Sequence, residues 1–342
     1  MQQIFSPNPA VSSPPHKRGF RIWMLIFILI LGGYIAIAFS RHVVTENMAQ
    51  TDIDDFPFWK RVVARILPIS ADRTFEDPDY IMPVQEPDRS DILILGLRGK
   101  DDPDGGLLTD SIMLFSFDET THKTALVSIP RDLSIKITDT KTEKINAALE
   151  ELGMNGTKKL VSKLTGIYVD NIVVFDFVSF EKIINEIGGI DVRLDQPFQE
   201  TSQWGSTFYL PAGDNHLDGQ TALYYVRSRF SSSDFDRARR QQQVISAIKK
   251  KTADIKLLSD PLKVLGLIST LKSDIQTDFN ILDINGLLGM AREFSASLDT
   301  MKRHVISTDN LLYESRDGGT YVLLPKGDTF EQLKIFFRDI LG

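Results

Sequence analysis

Hydrophobic positions along this chain fall into two regimes: one unbroken apolar run near the N-terminus and, from Asp91 onward, short apolar runs alternating with helical periods. Residues 22–40 (IWMLIFILILGGYIAIAFS) pass without a charge. At about 1.5 Å per residue a helix of that length spans roughly 28 Å, close to a hydrocarbon core of about 30 Å, which predicts a single transmembrane helix. Lys17, Arg18 and Arg21 stand before it, and after Arg41 the chain turns acidic with Glu46, Asp52, Asp54 and Asp55. The positive-inside bias therefore places residues 1–21 in the cytoplasm as a proline-rich tail, and the C-terminal body outside the cell membrane. The competing reading is a cleaved signal peptide ending at Ala36-Ile37-Ala38, although its apolar stretch is long for an h-region of about 7–15 residues. Residues 41–90 mix a short amphipathic helix over 58–67 with Pro68, Pro78, Pro83 and Pro87, and read as an extracellular stalk.

Beyond the stalk, ILILGL (92–97), SIMLFSF (111–117), TALVSIP (124–130) and NIVVFDF (171–177) are nearly continuous apolar runs, as expected of strands covered on both faces. Helical periods follow at 144–152, 158–164, 180–187, 220–227 and 237–251, then a helical stretch over about 260–296 and a closing strand, strand and helix at 304–308, 321–325 and 328–341. This alternation predicts an α/β fold, a three-layer α-β-α sandwich with a central mixed β-sheet, occupying 91–342 as one domain. There is no internal repeat.

Composition narrows the function. The chain has 342 residues, 42% hydrophobic and 25% charged, with net charge −7. Residues 1–41 carry four basic residues and no acid, which leaves −11 on the body, so binding to a nucleic-acid backbone is excluded as a first reading. Cysteine is absent, which removes disulfides, thiolate catalysis and thiolate metal sites. The five histidines form no HExxH pair, so any metal would sit on oxygen ligands.

No GxSxG, P-loop or GxGxxG pattern is present. What stands out is Arg227, Arg229, Arg237, Arg239 and Arg240, five arginines in fourteen residues. A solvated helix face with salt bridges to Asp234 and Asp236 would account for some of them. Arg237, Gln241, Val244 and Ile248, however, fall at i, i+4, i+7 and i+11, so a guanidinium and an amide head a stripe of core-facing aliphatics. An inward arginine needs a partner, either Asp234 or a ligand anion, and the helix N-terminus would add its own partial positive charge. Planar guanidinium forks match phosphate oxygens, which makes phosphate or pyrophosphate the natural ligand. Arg131, just after TALVSIP, would stand at a strand's carboxyl end, where α/β sheets bind ligands, or else simply pair with Asp132. Asp110 follows a loop containing Asp102 and Asp104 and could hold magnesium with phosphate oxygens and water, or else be an ordinary solvated loop carboxylate.

These segments together resemble the LytR-CpsA-Psr family of cell-envelope proteins. The resemblance runs over 91–251 through ILILG (92–96), TDSIMLFSFD (109–118), ALVSIPRD (125–132), EKINAA (143–148), INEIGGIDV (184–192), LPAGDNHLDGQTALYYVRSR (210–229) and DFDRARRQQQVISAI (234–248). It implies a membrane-anchored phosphotransferase that moves a glycopolymer from a polyprenyl-pyrophosphate carrier to a peptidoglycan hydroxyl, forming a phosphodiester. It further implies that Arg131, Arg227, Arg229, Arg237 and Gln241 hold the pyrophosphate, that Asp110 ligates Mg2+ or Mn2+, and that Asp234 orients the arginines. Lys144 and Asn146 would be structural or at the rim. One departure stands out, because Arg98 occupies a position where the family commonly has an acid. Either Asp101, Asp102 or Asp104 supplies a second metal carboxylate, or Arg98 contacts phosphate directly. The alternatives are a non-catalytic polyprenyl-pyrophosphate-binding or regulatory envelope protein, and a pyrophosphatase. Residues 252–342 show core-forming pattern and no chemistry.

Overall fold

The four apolar runs pair within one sheet in the computed structural model of the chain, which describes residues 80–99, 106–138, 141–255, 263, 266–267, 275–279 and 301–342. Residues 1–79, where a cytoplasmic tail, a transmembrane helix and most of a stalk are expected, lie outside the described residues, and no described helix is long and apolar enough to cross a membrane. Strands β1 (Arg89–Leu97), β2 (Thr109–Asp118) and β3 (Thr124–Ser128) form an antiparallel meander. Later come β6 (Asn171–Phe175), β11 (Ile275–Thr277) and β12 (Lys302–Val305). The sheet order is β11-β6-β1-β2-β3-β12, with β6 parallel to β1 and β12 parallel to β3. The protein is thus a mixed α/β fold around a central mixed sheet.

Period-two alternation decides what each face covers. Leu93, Leu95, Ile112, Leu114, Ala125 and Val127 face α1 (Ala148–Thr165) and the C-terminal α5 (Glu331–Asp339), whose Leu160, Val161, Leu333 and Phe337 complete that core. Met113, Phe115, Phe117 and Leu126 point the other way, toward Ile245 of α4 (Asp234–Asp254). Beside α4, a separate apolar cluster joins α2 (Phe177–Glu186), α3 (Gly219–Arg227) and the antiparallel pair of β7 (Ile190–Leu194) and β10 (Gly213–Leu217).

Several boundaries differ from the expectation, each for a local reason. The two helical periods at 144–152 and 158–164 run together as α1, kinked at Gly153, whose φ of 68° only glycine adopts without strain. Helix α2 begins at Phe177 because Asp176 caps it, its carboxylate accepting from the Ser179 N–H. The stretch 260–296 is not continuous helix: β11 crosses it as a sheet edge, with Asp278 accepting from the Ile172 N–H at 2.8 Å. The domain also starts earlier than residue 91. Strand β1 opens at Arg89, and Gln85 already donates to Asp170 at 2.7 Å. Small hairpins escaped the periodicity reading: β4 (Ser134–Thr138) with β5 (Lys141–Lys144), and β8 (Phe198–Glu200) with β9 (Phe208–Leu210); the expected strand at 321–325 is β14 (Thr320–Pro325), and only its hairpin partner β13 (Leu312–Asp317) was not foreseen.

At the end of β1 remote from the cavity described below, Asp91 lies buried between Arg89, which donates to it at 2.7 Å, and the Ser116 hydroxyl. Its own N–H donates to Asp170. Burial pushes the Asp91 carboxyl up to about 6, against the opposing charge of Arg89, and the negative Asp170 adds to the rise. A raised folded-state value means that folding favours the protonated form, so its contribution is full below the unfolded value near 4 and is lost as pH rises through 6. That contribution amounts to about 3 kcal/mol. Melting temperature is therefore expected to fall between about pH 4 and pH 6, and the slope to flatten in Asp91→Asn; an unchanged slope in the variant would place its origin elsewhere.

Candidate functional site

At the carboxyl ends of β1 and β6 the sheet opens onto a cavity of about 320 Å³. Its floor and inner wall are apolar, built from Gly96, Leu97, Met113, Phe175, Phe177, Phe180, Leu223, Val226 and Ile245, while its other wall carries Arg98, Asp110, Arg227, Arg229, Arg237 and Gln241. A Cβ on Gly96 would come within 3.2 Å of Ser111 and 3.4 Å of Phe175, so glycine keeps this floor open.

Asp110 is where the polar wall is organised. Gly96 pairs with Ser111 and Leu97 with Thr109, so Asp110 sits on a β-bulge without a partner on β1, which turns its side chain toward the cavity. Its Oδ1 accepts from Arg131 Nη1 at 2.5 Å, its Oδ2 from Arg98 Nε at 3.3 Å, and its backbone carbonyl from Arg237 Nη2 at 2.9 Å. Burial alone would raise its pKa, but the charges of Arg131, Arg237 and Arg98 outweigh burial and hold Asp110 below the usual carboxylate range. Arg131 is shifted upward in turn, since Asp234 and Asp110 more than offset its desolvation.

Arg237 and Gln241 do point inward from α4, as their spacing predicts. Arg237 is 5% exposed and reaches Asp234 at 3.1 Å, while Gln241 accepts from the Ser111 hydroxyl at 3.0 Å, which leaves its amide NH2 free to turn toward a ligand. Asp234 also lies 3.6 Å from Arg131 Nε. The helix N-terminus is not itself an open anion site, because Ser233 and Asp236 close it with a capping box and two acids occupy its first turn. The positive charge of the wall comes from guanidinium groups.

Arg227 and Arg229 leave the end of α3 beside the β8–β9 hairpin. The Arg227 guanidinium stacks 3.9 Å above the Phe177 ring and 5.1 Å from Trp204. Three residues that sequence reasoning missed hold this segment. Gln203 donates to the Arg227 carbonyl and accepts from the Arg229 N–H, Trp204 donates to Ser228 Oγ, and buried Glu200 accepts from the Ser231 N–H and hydroxyl. Their signal lay in a polar hairpin loop of no recognisable period. Replacing Gln203 by alanine removes two neutral hydrogen bonds and is expected to cost about 1–3 kcal/mol of stability, read by denaturant titration.

Of the remaining candidates, Arg131 and Asp234 line a narrow side cleft that shares Asp110, Ser111, Arg237 and Gln241 with the main cavity. Lys144 pairs with Asp132 at 2.5 Å, and the Asn146 backbone bonds Arg131 and Thr109, so both support the arginine loop from behind. Asp101, Asp102 and Asp104 lie outside the described residues. Among the described residues, no three His, Asp or Glu side chains gather into a metal-holding group.

A family model described as the LytR_cpsA_psr family matches residues 68–335. The chain belongs to that family. It is 29% identical over 235 residues to the Bacillus subtilis polyisoprenyl-teichoic acid–peptidoglycan teichoic acid transferase TagV, covering 66% of this chain and 58% of TagV. To the B. subtilis teichoic acid transferase TagT it is 27% identical over 237 residues, 68% of this chain and 70% of TagT. The Staphylococcus aureus regulatory protein MsrR is 32% identical over 188 residues, 54% of this chain and 56% of MsrR. The chain thus spans less than two thirds of the length of TagV and MsrR. Among solved structures, that of B. subtilis TagV superposes with a TM-score of 0.61 at 25% identity, covering 75% of this chain and 98% of that one. A structure of TagT bound to LIIa-WTA superposes with a TM-score of 0.58 at 26% identity, covering 75% and 92%.

Proposed function

We propose that this LytR_cpsA_psr member is a phosphotransferase that moves a glycopolymer from a polyprenyl-pyrophosphate carrier to a hydroxyl of peptidoglycan. It would be anchored in the cell membrane by the helix at 22–40 and act outside. One observation carries the reading: a single cavity joins an apolar interior to a wall of four arginines, Arg98, Arg227, Arg229 and Arg237, with Arg131 adjoining, which matches an amphiphile with a prenyl tail and an anionic head. The names of TagV and TagT support the same donor and acceptor classes.

In this reading the pyrophosphate lies against Arg227, Arg229, Arg237 and Gln241, and the prenyl chain lies over Phe175, Phe177, Phe180 and Ile245. The acceptor hydroxyl attacks the phosphorus nearer the glycan. An O–P bond forms as the P–O–P bridge breaks, and polyprenyl monophosphate departs carrying the hydroxyl proton. Rate acceleration then comes from charge neutralisation and alignment of an in-line displacement. A divalent cation would need an oxygen cage, and the described residues do not provide one, since Asp110 is the sole carboxylate lining the main cavity and both its oxygens already accept from arginines.

The test is transfer of label from a polyprenyl-pyrophosphate-linked glycan to peptidoglycan by the full chain, beside an Arg227→Ala/Arg237→Ala double variant. Label on peptidoglycan with release of polyprenyl monophosphate, absent in the variant, is the expected result. Label released only into water would make the protein a pyrophosphatase. The name of MsrR favours one further reading, a non-catalytic regulatory protein with the same ligand, which binding without turnover would reveal.

A further inference from the structure

The C-terminal β13–β14 hairpin brings an aromatic ring to the edge of the loop that carries Arg131. Leu323 of β14 donates its N–H to the Asp132 carbonyl at 2.9 Å and bridges Leu133 in parallel. The direction of that pairing carries Tyr321, two residues earlier on the same face of β14, back toward Arg131. The Lys144 ammonium, which holds Asp132 at 2.5 Å, lies 6.0 Å from the Tyr321 ring centroid. Tyr321 nevertheless stays 37% exposed, so part of the ring is open to a ligand. Glu314 on β13 pairs with Leu323 and therefore shares the Tyr321 face, and it accepts from the Tyr321 hydroxyl at 3.4 Å. Glu314 is itself exposed. Burial raises the pKa of the Tyr321 hydroxyl, and the negative charges of Glu314, Asp132 and Asp234 add to the rise, so the phenol also stands within electrostatic reach of Asp234.

The pyrophosphate reading above, on which this inference rests, needs an acceptor at that end of the site. Asp234, Arg237, Gln241 and Ile245 follow one another along one face of α4, leading from the side cleft into the apolar interior of the cavity. At about 1.5 Å per residue the stripe runs roughly 16 Å. A carrier laid along it has its prenyl chain at Ile245 and its phosphates at Arg237 and Gln241. Phosphoryl transfer sets the attacking and leaving oxygens roughly in line. A prenyl phosphate that leaves toward Ile245 therefore requires the attacking hydroxyl to enter from the Asp234 end, where Tyr321 stands.

We propose that Tyr321 and Glu314 form the acceptor subsite, the ring stacking on a sugar of the peptidoglycan glycan chain and the carboxylate accepting from one of that sugar's O–H or N–H groups. A sugar ring offers an apolar face of C–H groups bordered by hydroxyls, and an aromatic ring with a carboxylate at its edge complements both parts. An N-acetylated amino sugar adds an amide donor for the carboxylate. The hairpin thus holds the acceptor, while the arginines hold the donor.

The experiment uses the full chain purified in detergent and two separate probes, soluble uncrosslinked peptidoglycan glycan chains and geranylgeranyl diphosphate. Saturation-transfer NMR titration reads the first and calorimetry the second. Tyr321→Ala should weaken glycan binding by roughly tenfold while the diphosphate affinity stays within about twofold of the parent. Tyr321→Trp keeps a stacking surface and should hold glycan affinity within about threefold, and Glu314→Gln should weaken it by about threefold. In the transfer assay the Tyr321→Ala change should appear in the KM for peptidoglycan and not in the KM for the donor. Melting curves confirm that each variant is folded. A parent that binds no glycan chains, or a folded Tyr321→Ala that binds them as the parent does, would overturn the subsite, and continued transfer to peptidoglycan would leave the transferase reading standing. Equal losses of glycan and diphosphate binding would also overturn it. Glycan binding that depends on Tyr321 in a protein that transfers nothing would support the subsite and overturn the transferase reading instead.

Discussion

Replacing Arg237 by alanine is expected to lower kcat/KM for glycopolymer transfer by roughly ten- to a hundredfold or more, the loss of one or two charge-assisted hydrogen bonds of about 1.5–3 kcal/mol each. Arg237 heads the inward stripe of α4 and is 5% exposed, and its Nη2 is held from both sides by the Asp110 carbonyl at 2.9 Å and Asp234 at 3.1 Å. Such a clamp fixes the plane of the fork before ligand arrives, so little entropy remains to be lost on binding. Burial, the largest influence on this group, lowers its pKa from the usual arginine value, and the neighbouring Arg131 adds to the lowering while Asp234 opposes it. An added anion would relieve that strain. Lysine at the same position restores the charge without the bidentate geometry and should recover only part of the activity. Steady-state transfer assays on Arg237→Ala and Arg237→Lys, with melting curves as a folding control, decide the matter; an alanine variant as fast as the parent would remove Arg237 from the site.

The largest stability effect is expected three residues along the same helix. Arg240 is buried, donating from Nε to the Tyr225 carbonyl at 3.0 Å, from Nη1 to Ser232 Oγ at 3.1 Å and from Nη2 to the Ser228 carbonyl, with its guanidinium 4.8 Å from the Phe198 ring. It ties α4 to the end of α3 and to the β8–β9 hairpin at once. Alanine there strands two carbonyls and a hydroxyl and opens a void, at an expected cost of about 3–5 kcal/mol. Its neighbour Arg239 is exposed, and its pair with Asp236 at 2.6 Å lies on the helix surface. Arg239→Ala should change stability by no more than about 0.5 kcal/mol. Chemical denaturation of the two variants side by side tests the contrast, and equal losses would refute this assignment of Arg240.

These two arginines show where reading the chain stops. Both belong to the five-arginine cluster that composition singles out, and spacing separates Arg237 from the rest because i, i+4, i+7 and i+11 define one helix face regardless of what it packs on. Nothing local distinguishes Arg240 from Arg239. Arg240 is buried because the ends of α3 and of the β8–β9 hairpin arrive over it, an arrangement made by residues as distant as Phe198. Gln242 escaped for a similar reason, donating to Ser128 Oγ at 2.8 Å and to the His304 carbonyl at 2.7 Å across the sheet. Glu200, Gln203 and Trp204 sit in a hairpin too short and too polar to show a period.

What the amino-acid sequence determined by itself was whatever depends on near neighbours. That comprises the mixed α/β alternation, the four central strands, the inward face of α4 and the motif set that marks the family. Side-chain periods of 2 and 3.6 are properties of the backbone and survive any tertiary context. Only the tertiary structure decided the role of Asp110, because a single bulge between Gly96 and Leu97 turns it into the meeting point of Arg98, Arg131 and Arg237, which are up to 127 residues away in the chain. Charge placement in a site is set by contacts of that range, and no local spacing encodes them.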